Sequence, residues 1–136
     1  MKTWLIPTLG ALICWAGWAF LPKLAIQNID TKSILIYEAL GSLTIALLVL
    51  VSIDYKLELD WKAGSIAFIS GALNILGVLC YLQAIAKGKI SLVSTISALY
   101  PLLVIILAVF FFQESLTLKQ FLGLALGLFS IILLAT

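Results

Sequence analysis

The stretch ISALYPLLVIILAVFFFQESLTLKQFLGLALGLFSIILL, residues 96–134, decides how the chain is read. Two apolar runs, each close to the roughly 20 residues that a helix needs to cross hydrocarbon, flank the short polar connection QESLTLK. A bilayer offers no water to satisfy loose backbone groups, so runs of this length and character predict spanning helices joined by a tight turn.

The same pattern continues towards the N-terminus. Spans are expected at about residues 4–22, 34–53, 63–86, 92–112 and 119–136. Of 136 residues, 64% are hydrophobic and 10% are charged, whereas about a quarter are charged in soluble domains. The predicted fold class is an all-α integral membrane protein of five transmembrane helices, with residues 1–136 forming one domain. The first run follows Lys2 but has no clear small-residue cleavage site, so it is read as a retained span. Trp4 and Trp61 lie at span ends, where indole suits the headgroup layer, and Pro22 is expected to help end the first helix. The longest polar connection, DYKLELDWK at residues 54–62, reads as a surface loop.

Several functions find no machinery in these residues. A net charge of +2, dispersed along the chain, does not suit nucleic-acid binding. There is no histidine and no P-loop, and Cys14 and Cys80 define neither a disulfide framework nor a metal site. The expectation is a non-enzyme without cofactor or metal, multi-pass in the cell membrane, which is the cytoplasmic membrane in a bacterium or archaeon.

Charge patterning bears on orientation. With five spans, Lys2, Lys56, Lys62 and Lys119 share one face, while Lys23, Lys32, Lys87 and Lys89 share the other. Lysine and arginine in short loops set orientation, and there is no arginine to break this tie. Dual topology is therefore as well supported by charge as a single orientation.

Residues 96–134 resemble the C-terminal portion of an EamA repeat, the building block of the drug/metabolite transporter superfamily. The features that carry the resemblance are a proline-containing helix (Pro101), a glutamate after it (Glu114), a short turn, and a glycine-rich last helix (Gly123, Gly127). The opening segment GALICWAGWAF, residues 10–20, is similar to the family's tryptophan- and glycine-containing first helix. Gln113 departs from the pattern, because a glycine often precedes the glutamate in the family. The resemblance implies one five-helix unit where many relatives carry two in inverted orientation. It also implies an antiparallel homodimer, or pairing with a paralogous half-transporter, and a small-molecule substrate.

Candidate residues follow from polarity inside the spans. Ser70, Asn74, Gly77 and Tyr81 line one helical face, with Asn74 near the middle of the third span. Such a stripe should face a helix or a water-filled path rather than lipid, and interhelical hydrogen bonding would explain it as well as substrate contact. Tyr100 and Pro101 lie mid-span, where proline is expected to bend the helix as a hinge, expose carbonyl groups and set Tyr100 against a ligand. Trp15 and Trp18, one turn apart, sit deeper than tryptophan usually does; they suit either an aromatic substrate wall or packing. Glu38 is the proton-coupling candidate, as the one acidic side chain clearly inside a span, although it could instead extend to the interface or pair with Lys32. Gly123 and Gly127 form a GxxxG helix-packing pattern, and Glu114 and Lys119 are expected to cap or anchor the last connection. With these residues as candidates, the resemblance implies a secondary transporter of a small organic metabolite or drug-like compound, working by alternating access at a dimer interface. The alternative is a non-transporting membrane subunit that assembles with a larger or paralogous transporter.

Overall fold

The computed structural model describes residues 4–135. Among them every regular element is an α-helix. Four stretches are long and apolar enough to cross a membrane, namely Leu5–Ala25, Thr31–Ser52, Trp61–Lys87 and Ile90–Phe112, and a shorter apolar stretch, Leu118–Ser130, follows. The chain divides into two units, one ending at Lys87 and the other starting at Gly88.

The first unit contains α1 (Leu5–Ala25), α2 (Thr31–Ser52) and α3 (Trp61–Lys87). Contrary to expectation, α1 does not end at Pro22 but runs on to Ala25, and the Ile26 N–H donates to the Pro22 carbonyl at 2.9 Å. Pro22 is buried, and packed neighbours commonly make proline tolerable within a membrane helix. Its missing N–H leaves the Trp18 carbonyl without the donor that residue 22 would otherwise provide.

Acidic caps set the other starts. The Asp30 carboxylate accepts the Lys32 backbone N–H at 3.1 Å, so α2 begins ahead of the apolar run at Ile34 that suggested a later start. Asp60 Oδ1 likewise accepts the backbone N–H groups of Lys62 and Ala63, at 2.8 and 3.1 Å, and α3 begins at Trp61. After α2 the chain turns through two left-handed residues, Asp54 and Tyr55.

The core of this unit sits at one end. Pro22 of α1 and Ile34 of α2 are buried with Val78, Tyr81, Leu82 and Ile85 of α3, and Leu82 and Ile85 are fully enclosed. This end is where α1 finishes, α2 starts and α3 finishes. Lys23 closes it by donating its ammonium to the Ile85 carbonyl. Lipid tails are as apolar as these side chains, so close packing and such hydrogen bonds, more than water exclusion, hold the end together.

The second unit contains α4 (Ile90–Ser97), α5 (Tyr100–Phe112) and α6 (Leu118–Ala135), with α4 packed on α6. The expected single helix over 92–112 is interrupted at Ala98 and Leu99, which both stay right-handed. α4 closes with the Ala98 N–H on the Ser94 carbonyl and the Leu99 N–H on the Ile96 carbonyl, and α5 restarts with Pro101 in its first turn. Pro101 has no N–H for the Ser97 carbonyl, and it is well suited to a helix start. α5 is apolar all round, as a lipid-embedded helix can be. It ends at Gln113, which is left-handed with φ 52°.

The start of α6 is a capping box that the sequence reading assigned to other residues. The Gln120 N–H donates to Thr117 Oγ1 at 3.3 Å, while Gln120 Oε1 accepts the Thr117 N–H at 2.9 Å. This reciprocal pair, rather than Glu114 or Lys119, caps the helix.

Candidate functional site

Three of the sequence-predicted residues meet near the packed end of the first unit. Trp18 lies about two turns before the end of α1, Glu38 about two turns into α2, and Tyr81 a little under two turns before the end of α3. At 1.5 Å per residue, each is therefore about 10 Å in from its helix end. Glu38 is deeper than the sequence suggested, because the Asp30 cap lengthens α2 ahead of it.

Trp18 is the centre of this cluster. Its indole Nε1–H points to Glu38 Oε2 at 3.4 Å, beyond the usual 2.7–3.2 Å of an N–H···O hydrogen bond and so a weak contact. Its ring lies 5.3 Å from that of Tyr81, centroid to centroid, tilted by 30°, within the range in which aromatic pairs attract. Tyr81 is buried, and its hydroxyl donates to the Ala19 carbonyl at 3.0 Å. That bond fixes the Tyr81 ring and engages its proton, so the side chain presents a wall rather than a free donor. Glu38 is half-buried, and among the described residues no lysine, Lys32 included, forms an ion pair with it.

The other candidates stand apart. Asn74 falls at the midpoint of α3, two turns from Tyr81 on the same face, yet it is exposed and takes no hydrogen bond among the described residues. Trp15 is exposed and lines a shallow hollow of about 550 Å³ with Pro7, Thr8, Ala11 and Leu12, all from its own helix. Another open hollow of about 540 Å³ lies at the start of α3 around Asp60, Trp61 and Phe68, away from all of these residues. Tyr100, in the second unit, is exposed at the restart of α5, next to Pro101.

Gly123 and Gly127 have no close neighbour among the described residues. A Cβ added at either position would find no atom within 4 Å. Their neighbours Leu124 and Leu128 are the half-buried positions of the helix.

The contact between Trp18 and Glu38 was not drawn from the sequence, although one signal pointed to it. The two residues are equally far from Asn28, on opposite sides of the α1–α2 turn, and antiparallel neighbours joined by a short turn pair in that way. The hydroxyl bond to Ala19 carries no sequence signal, since any residue has a carbonyl. Among the described residues there is no group of three or more potential metal ligands.

Comparisons with known proteins place the chain in a family. The family model of the EamA-like transporter family matches residues 2–136. An uncharacterized protein of Methanocaldococcus jannaschii is 36% identical over 93 residues, covering 67% of this chain and 68% of that protein. No solved structure matches.

Proposed function

The chain belongs to the EamA-like transporter family, and from that premise we propose that it is a secondary transporter of a small organic metabolite or drug-like compound in the cell membrane. Its pathway lies between this five-helix repeat and an oppositely oriented second copy. Inverted-topology pairs commonly hold substrate at the interface of their repeats and alternate access by rocking one against the other.

The observation that carries this reading is the polar stripe of α3. Its Tyr81 end is sealed against α1, whereas Asn74 at the helix midpoint is exposed and without a hydrogen bond. An amide facing lipid tails would lose several kcal/mol of hydrogen bonding, on the order of the penalty for moving an amide out of water. A second copy, water or substrate must therefore meet it. The exposed GxxxG face of α6 supplies a surface for close helix approach across that interface, with Gly123 and Gly127 as packing residues. Trp15, Trp18, Tyr81 and Tyr100 supply aromatic surface to substrate, the break before Pro101 gives the fourth span a hinge, and Glu38 is the group that takes up and releases a proton during the cycle.

Purified protein in liposomes tests this directly. Counterflow of a labelled metabolite by this chain alone is the expected result. Asn74→Ala should slow it about fivefold, the equivalent of one lost hydrogen bond, with the yield of folded protein unchanged. Activity that appears only when another membrane subunit is added would replace this reading with that of an assembly subunit.

A further inference from the structure

A carboxylate placed among membrane helices needs a counter-charge. Ionised, Glu38 has roughly four acceptor positions, and the structure gives it one long contact from Trp18. Lys23, on the same helix as Trp18, directs its ammonium to the Ile85 carbonyl, and no lysine ion-pairs with Glu38 among the described residues. Among the described residues the counter-charge is therefore missing, at a place where the Trp18 indole stands beside the carboxylate and the Tyr81 ring packs on that indole.

Each part of the cluster favours the same kind of ligand. The negative face of the indole ring attracts a cation, most strongly where water is excluded. Tyr81 has its hydroxyl proton committed to Ala19 and its ring buried against Trp18, so it holds the indole in place from behind. Trp18 keeps 38% of its surface exposed against 8% for Tyr81, which leaves one side of the indole open to a ligand. The Trp18 carbonyl, which receives no donor from Pro22, is one more acceptor in the same segment.

We propose that Glu38 and Trp18 recognise an organic ammonium group, with the carboxylate as counter-ion and the indole as wall, held from behind by Tyr81. This rests on the transport reading above and names the class of substrate. A neutral alcohol would gain the ring contacts without the ion pair. A carboxylate substrate would meet Glu38 as a like charge.

The test is binding to the purified wild-type protein in micelles, measured by calorimetry with 2-phenylethylammonium and its neutral counterpart 2-phenylethanol. The ammonium should bind about tenfold more tightly or better, and Glu38→Gln should abolish that preference while 2-phenylethanol binding persists. Equal affinity of the wild type for the two compounds would overturn the proposal without need of any variant. So would a Glu38→Gln protein that still prefers the ammonium. Counterflow by the wild-type protein together with its equal affinity for the two compounds would preserve the transport reading and overturn this one, so the two can fail separately.

Discussion

Gln113 shows how one residue can keep a turn that its chemistry does not favour. It ends α5 with φ 52°, a left-handed conformation that crowds the Cβ of any L-residue and that glycine adopts freely. The resemblance puts a glycine at this position in many relatives, and the glutamine here takes the conformation that glycine favours, at a local strain. Gln113→Gly should therefore raise stability by about 0.5–1 kcal/mol, because the left-handed penalty for glutamine exceeds the extra backbone entropy glycine loses on folding. Unfolding in mixed micelles would show it as a later midpoint. An unchanged or earlier midpoint would mean that the turn is held by something other than its backbone preference.

At the scale of elements, what the sequence disclosed and what it hid have separate physical origins. Apolar runs longer than any core helix needs revealed the helices, because the hydrocarbon thickness fixes their minimum length. Their ends were less legible. Asp30, Asp60 and the Thr117–Gln120 pair act through hydrogen bonds two or three residues away and leave hydropathy unchanged, so each start was read late or credited to a neighbour. Proline was read too simply: Pro22 is accommodated within α1, while Pro101 marks a true restart, and only the surrounding packing distinguishes the two. Of the candidate site, the residue types were legible but their grouping was not, since Trp18, Glu38 and Tyr81 meet across three helices. The GxxxG face gives a prediction at this scale. A Cβ at Gly123 or Gly127 meets nothing within 4 Å among the described residues, so Gly123→Ala with Gly127→Ala should leave the fold intact and lower the dimer fraction in micelles several-fold, about the equivalent of 1 kcal/mol of lost helix contact. Cross-linking yield would measure it. Unchanged cross-linking would move the interface to another helix.

At the scale of the whole molecule, the question is how one sequence supplies both halves of a symmetric carrier. In the proposed five-span arrangement, Lys23, Lys32, Lys87 and Lys89 balance Lys2, Lys56, Lys62 and Lys119 across the membrane. The first unit agrees for the lysines it contains: Lys23 and Lys87 lie in the last turns of α1 and α3 at the packed end, where Lys23 reaches the Ile85 carbonyl, whereas Lys56 and Lys62 border the far ends of α2 and α3. Orientation follows lysine excess on the cytoplasmic side, so a balanced chain should insert both ways. Removing two lysines from either face should then force one orientation. Lys56→Ala with Lys62→Ala leaves the Lys87 face in excess and should hold the C-terminus in the cytoplasm, so that a fused fluorescent reporter is active and a fused periplasmic phosphatase is silent. Lys87→Ala with Lys89→Ala should do the reverse. Neither variant alone can build the inverted pair, so each should lose most of its counterflow, while co-expression of the two should restore it, because each supplies the orientation that the other lacks. Wild-type protein showing a single orientation, or full transport by either variant alone, would exclude a carrier assembled from opposed copies of this chain.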